Sequence, residues 1–347
     1  MRYPKSVHYW LLAGMIMIFF QVVLGGITRL TGSGLSITKW DIVTGTMPPL
    51  NAQQWQDAFD LYRATPQYQK INQGMEMAQF KFIFFWEYFH RLWARLMGFV
   101  FLIPLFFFIL RGYLDRPLIL RLIGVFLLAA LVAGFGWIMV ASGLIDRPWV
   151  NAYNLTIHLN LALILFGYLS WTYWWVAHQG DRSYLIHSTH SKWISGMLIL
   201  LGVQLILGGM MSGMKAGLLY PTWPDMHGSF IPPVLLNGNN WKWSHFTQYD
   251  DHDFMGSLVQ WSHRMVAYLL FLAYFIFWLR VGKQIVRMGP DLLRTALVLL
   301  VQVTLGILTV LNSVGHIPLW LGVSHQGVAL LLLISLLHNR FRLRPDN

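Results

Sequence analysis

The sequence has 347 residues, of which 56% are hydrophobic and only 11% charged, and its mean hydropathy is +0.51. Soluble domains carry about 25% charged residues, so this chain lacks the charge to cover a water-facing surface of its size. The formal charge of +11 and the pI near 9.9 therefore do not mark a nucleic-acid binder. In so apolar a chain they mark residues facing the negative side of a membrane. Cysteine is absent, which excludes disulfides, zinc–thiolate sites, iron–sulfur clusters and thiol nucleophiles. Imidazole remains, with 13 histidines.

Crossing about 30 Å of hydrocarbon takes roughly 20 helical residues. Apolar runs of that length cover residues 8–28, 82–110, 118–140, 155–177, 193–213, 257–280, 291–312 and 320–339, predicting eight spans. Gly112 with Pro117, Asp146-Arg147-Pro148, Gly180-Asp181, Gly289-Pro290 and His316-Ile317-Pro318 punctuate them. The first run lacks a small-residue cleavage site and continues into Gly25-Gly26-Ile27-Thr28-Arg29, so it is expected to be a span and not a signal peptide. An even count puts both termini on one side. The loops and ends of that side carry a net charge of +10, and the opposite side, with its long loops 29–81 and 214–256, carries −1. Cations gather on the cytoplasmic side, so both termini are expected there and both long loops outside.

The chain also repeats itself. Gln21-Val22-Val23-Leu24-Gly25-Gly26 returns as Gln204-Leu205-Ile206-Leu207-Gly208-Gly209, and at the same offset of 183 Gly34, Leu35, Trp40, Gly45 and Pro49 match Gly217, Leu218, Trp223, Gly228 and Pro232. Glu87-Tyr88-Phe89-His90-Arg91 answers Gln260-Trp261-Ser262-His263-Arg264, and the segment around His158 answers that around His325. The offsets shrink to 173 and then 167, as shorter loops in a second copy require. Four spans per copy make the repeats parallel, about an axis along the membrane normal. The expected fold is an all-α integral membrane protein, its eight transmembrane helices forming two pseudo-symmetric four-helix bundles, residues 1–180 and 181–347.

His90, His158, His263 and His325 each lie inside an apolar run, within about two turns of its outer end. Ionisable groups at such depth are costly and point to function. A single one would read as an interhelical hydrogen bond. Two per half, on the second and fourth spans, can instead address the two faces of one flat cofactor, as axial ligands of haem iron do. The other histidines sit at helix ends or in loops, where capping and solvated roles suffice, and no HExxH motif occurs. Arg91 and Arg264 follow two of the four histidines. Either they fork onto carboxylates such as haem propionates, or they snorkel to the headgroups.

Glu87 is the sole acid in the interior of a predicted span, Asp291 standing at the first position of its own, and the counterpart of Glu87 is Gln260. Three residues separate Glu87 from His90, so the two share a helix face. A partly desolvated carboxyl beside iron is suited to proton transfer. The structural alternative is a salt bridge to Arg91 or Arg95.

These residues resemble the heme A synthase family. The resemblance spans essentially the whole chain and is carried by Gly25 to Thr31, Ser33-Gly34-Leu35-Ser36, Met47-Pro48-Pro49, Phe80-Lys81-Phe82-Ile83, Glu87 to Arg91, Tyr220-Pro221-Thr222-Trp223-Pro224 and Gln260 to Arg264. It implies an eight-helix fold in the bacterial inner membrane that binds haem b and oxidises the C8 methyl of its substrate heme O to a formyl group, with water as the oxygen source. It assigns His90, His158 and Arg91 to heme O, His263, His325 and Arg264 to the resident haem b, and Glu87 to catalysis. The implied partners are heme O synthase, cytochrome oxidase assembly factors, an electron acceptor, membrane lipid and a second copy of the chain. Some bacterial members carry a cysteine pair in the first outer loop; this chain is similar to the cysteine-free subgroup. A dihaem electron-transfer cytochrome b and a non-catalytic haem chaperone are the alternatives. The first usually places its haems near opposite membrane faces, whereas all four histidines here lie near one; the asymmetry of Glu87 and Gln260 argues against the second.

The charge split yields a direct test. Single cysteines introduced into this cysteine-free chain are expected to react with an impermeant thiol reagent from outside in the long loops 29–81 and 214–256 and not in the loops of the terminal side. Strong outside labelling at residue 182 or 342 overturns the assignment.

Overall fold

The computed structural model describes residues 3–38, 47–145, 147–178, 188–281 and 289–343. Trp40, Gly45, Asp146, Gly180, Asp181, Arg182 and His187, the outermost terminal residues and the expected boundary between 180 and 181 lie outside them. Twelve α-helices are found among the described residues, and no strand. Eight are long and apolar enough to cross a bilayer: α1 (Lys5–Leu30), α4 (Met77–Leu110), α5 (Arg116–Ser142), α6 (Ala152–Ala177), α7 (Ser188–Gly213), α10 (Asp253–Val281), α11 (Gly289–Leu311) and α12 (Leu319–Arg342). Each overlaps one predicted span. Their flanks expose large apolar side chains such as Phe99, Ile103, Leu127, Leu272 and Leu297. Such flanks are stable only against lipid, and the chain is a multi-pass membrane protein. The remaining helices, α2 (Ala52–Arg63), α3 (Pro66–Lys70), α8 (Pro233–Leu236) and α9 (Trp243–Thr247), lie in the two long loops.

Contacts divide the chain into two compact units, Pro4–Ala162 and Leu163–Asn347 with the first three residues, the division falling within α6. In the first unit α1 packs along α4. The end of α1 is set by Gly32, whose φ of 68° is one that glycine adopts without strain. Ser33 N–H reaches back to Thr28 O at 2.9 Å, closing the last turn in a Schellman-type stop. This reversal carries Leu35 and Ser36 into buried positions.

At 34 residues, α4 is about 51 Å long by the helical rise, well beyond the thickness of hydrocarbon. Its first turns serve as a platform for the loop: Phe80, fully buried, packs its ring on Phe59 (4.9 Å) and Tyr62 (5.3 Å) of α2. A polar chain then ties this cap to α1. Asn72 donates to the Tyr62 hydroxyl (2.7 Å), Tyr62 donates to Gln67 Oε1 (3.0 Å), and Gln67 donates to Gly32 O (3.0 Å). Burial raises the pKa of the Tyr62 phenol, which keeps it a donor. Caps fix the helix starts. Asn51 accepts from Gln54 N–H at α2, and Asp115 accepts from Leu118 N–H at α5.

The second unit is centred on α7, α10, α11 and α12. Ile194, Met197 and Leu201 of α7 meet Leu270, Tyr274 and Phe277 of α10, with Leu292 and Leu299 of α11 and Leu332 and Leu336 of α12 completing the core. Polar links close one end: Tyr274 donates to Leu292 O (2.6 Å), and Asn339 to Thr295 Oγ1 (2.9 Å).

Phe80→Ala removes the ring on which the loop helices rest. A core Phe→Ala change costs about 3–5 kcal/mol. Limited proteolysis is expected to cut within 52–70 in the variant while the spans stay inserted; unchanged protection shows that the cap does not depend on this ring.

Candidate functional site

Within the first unit, His90 of α4 points at α1. Gln21 places its amide nitrogen 3.0 Å from His90 Nε2 and 3.2 Å from His90 O. One turn further along α1, a Cβ at Gly25 would stand 3.2 Å from His90 Nε2, so the bare backbone leaves the ring its space. His158, in the second turn of α6, bonds through Nδ1 to Val132 O of α5 at 2.9 Å. A Cβ at Gly136 would lie 2.9 Å from the His158 ring. His90 and His158 are close enough to interact electrostatically.

The second unit repeats these contacts. Gln204 of α7 places its amide nitrogen 3.1 Å from His263 Nε2, and Gly208 lies in ordinary contact with that ring, at 3.5 Å. His325, again in the second turn of its helix, bonds through Nδ1 to Gln302 O at 3.1 Å. A Cβ at Gly306 would fall 2.9 Å from its ring. His263 and His325 also interact electrostatically.

The rings are therefore oriented for a purpose. His158 and His325 each use Nδ1 as donor to a backbone carbonyl, the outer contact that fixes tautomer and ring direction in ligating histidines. Their Nε2 atoms keep the lone pair. An amide N–H on His90 and His263 likewise identifies Nε2 as the acceptor there. Polar atoms beside the rings are buried without partners: Gln21 Oε1, Gln204 Oε1, Gln302 Oε1 and His263 Nδ1. Among the described residues, no group of three or more His, Asp or Glu could hold a bare metal ion. Paired neutral imidazoles, faced by glycine and flanked by unsatisfied amides, fit a flat iron macrocycle, which takes two axial ligands.

Glu87 is 3% exposed and surrounded by donors. Oε2 accepts from Ser36 N–H (2.7 Å), the Ser36 hydroxyl (2.7 Å) and Ile37 N–H (2.9 Å), while Oε1 accepts from Arg91 (2.6 Å). Arg91 also donates to Ile37 O at 3.1 Å. The salt bridge to Arg91, the structural alternative offered by the sequence, is thus present, and it grips the first long loop. At the counterpart position Gln260 donates to Tyr220 O (2.9 Å), and Arg264 donates to Tyr220 O and Asp225 O (both 2.9 Å). Carboxylate and amide match what each loop presents, N–H groups in one case and carbonyls in the other. Both arginines donate to backbone carbonyls of the loop in their own half.

Sequence reading assigned no role to Gln21, Gln204, Gln302, Gly136, Gly306 or Ser36. A signal for some of them exists. Val132 and Gly136 stand 170 residues before Gln302 and Gly306, between the offsets of 173 and 167 for the flanking helices, so the repeat runs through α5 and α11 too.

The family model described as COX15-CtaA, cytochrome oxidase assembly protein, matches residues 8–337. Similar curated proteins include the heme A synthase of Nitrosospira multiformis, 40% identical over 351 residues, covering 98% of this chain and 94% of the relative. The heme A synthase of Parvibaculum lavamentivorans is 40% identical over 331 residues, with 94% and 91% covered. That of Methylorubrum populi is 41% identical over 340 residues, with 95% and 84% covered.

The glycine contacts give a graded test. Gly136→Ala and Gly306→Ala force the facing imidazole to move, whereas Gly208→Ala is accommodated. Absorption spectra of the purified variants are expected to show perturbed haem bands for the first two and native bands for the third. Native bands in all three overturn the close-contact reading.

Proposed function

The chain belongs to the COX15-CtaA family of cytochrome oxidase assembly proteins, and from that membership we propose that it is a heme A synthase. It oxidises the C8 methyl of heme O to a formyl group through hydroxylated stages, providing heme A for cytochrome oxidase. The observation that carries this reading is the meeting, in one unit, of a histidine pair with a carboxylate one helical turn from its first member. Taking oxygen from water, the change from methyl to formyl releases four electrons and four protons.

His90 and His158 hold the iron of the substrate, and His263 and His325 hold haem b. Haem b, when bound, supplies a one-electron path toward an acceptor. Arg91 and Arg264 shape the loop at each site, and a guanidinium is the group whose planar fork matches a propionate. Glu87 provides negative charge beside the substrate pocket, offsetting positive charge as electrons leave, and as a carboxylate it can exchange a proton where the amide of Gln260 cannot. Gln260 cannot titrate, which makes the first half, residues 1–180, the reactive one and the second half, 181–347, its support.

The remaining features follow the sequence. The charge split supports an inner-membrane orientation with both termini in the cytoplasm and both haem sites toward the outside. Heme O synthase, oxidase assembly factors, an electron acceptor and a second copy of the chain are the proposed partners.

The test is acid extraction and mass analysis of bound haems. Wild-type protein supplied with heme O is expected to yield heme A, and Glu87→Gln to keep its haem spectrum yet accumulate heme O or a hydroxylated stage. Near-normal heme A from the well-folded variant excludes a titrating role for Glu87.

A further inference from the structure

Ser36 is buried in the first outer loop, 2% exposed, and both its N–H and its hydroxyl lie 2.7 Å from Glu87 Oε2. The hydroxyl has one other acceptor in range, Ile83 O at 3.3 Å. Its placement is not left to the loop alone. Leu35, the preceding residue, is buried against Gly143 so closely that a Cβ there would stand 2.8 Å from the leucine. Ser36 N–H also reaches Ser33 O at 3.2 Å, just beyond the reversal at Gly32.

The repeat supplies an internal control. At the offset of 183 the counterpart of Ser36 is Leu219, and at the offset of 173 the counterpart of Glu87 is Gln260. The hydroxyl thus occurs in the half that has the carboxylate and is lost in the half that lacks it. Gln260 there meets a backbone carbonyl instead.

From this pairing we propose that Ser36 is a positioning residue, whose hydroxyl sets the orientation of the Glu87 carboxylate toward the substrate pocket. The proposal rests on the reading of Glu87 as the catalytic carboxylate. With the loop on Oε2 and Arg91 on Oε1, the carboxylate plane is fixed. Without the hydroxyl, two backbone donors remain on Oε2, and the carboxylate gains rotational freedom. A hydrogen bond to a charged group that is lost from an oriented carboxylate predicts a fall in kcat of about tenfold or more.

The experiment compares wild type, Ser36→Ala, Ser36→Thr and Glu87→Gln as purified haem-loaded proteins turning over heme O, with haem spectrum and thermal midpoint measured on each. Expected for Ser36→Ala is a lowered kcat with KM and haem spectrum unchanged and at most a small fall in midpoint, and recovery in Ser36→Thr, which keeps the hydroxyl. Wild-type kcat in Ser36→Ala beside an inactive Glu87→Gln overturns the role of Ser36 and leaves that of Glu87 standing. Full turnover by Glu87→Gln removes the underlying reading and the proposal with it. Loss of haem or of thermal midpoint in Ser36→Ala, without recovery in Ser36→Thr, overturns positioning in favour of a purely structural contact.

Discussion

A carboxylate placed among apolar helices must be compensated, since an isolated buried charge costs several kcal/mol even after relaxation. Glu87 is compensated on every side, and the compensation comes from far along the chain: Ser36 and Ile37 precede it by about fifty residues. The charge therefore dictates the path of the loop. Gly32 reverses the chain, Leu35 fits against Gly143, and Arg91 completes the ring of donors by holding Ile37 O. A charge-assisted bond is roughly twice as strong as a neutral one, and several converge on one group. This is why the segment from Ser33 to Ile37, of ordinary composition, acquires a fixed path against α4.

The histidines obey a second constraint, that of volume. Gly136 and Gly306 each face a ring at a distance no side chain would permit, and Gln21 and Gln204 each lay an amide on Nε2. Within each unit, backbone bareness and side-chain polarity are thus combined around the histidine pair. Helix packing in lipid already favours small residues; here the space they leave is taken by imidazole and not by a neighbouring backbone.

Much of this was legible before the structure. The eight spans follow from apolar length, because every backbone group in hydrocarbon must be satisfied within a helix. Depth and duplication singled out His90, His158, His263 and His325. What escaped was set by non-local contacts. The loop helices α2 and α3 have polar, mixed sequences whose order depends on the Phe80 platform. Ser36 is a common residue type in a loop, and nothing local announces that its hydroxyl meets Glu87. For Arg91 the sequence also offered the salt bridge to Glu87; the backbone carbonyls that Arg91 and Arg264 meet in the loops are written in tertiary packing. Gly136 and Gly306 could have been found by extending the repeat through α5 and α11, where few side chains match.

The use of main-chain donors at Ile37 has an evolutionary corollary. The carboxylate sees an amide hydrogen there, not a side chain, so this contact by itself places no demand on the residue type at 37, whose side chain answers instead to the aromatic cluster around Phe80. Proline alone is barred outright, because it lacks the hydrogen. Selection on this contact therefore acts on backbone shape, and a comparison restricted to residue identity would pass over one of the positions on which Glu87 depends.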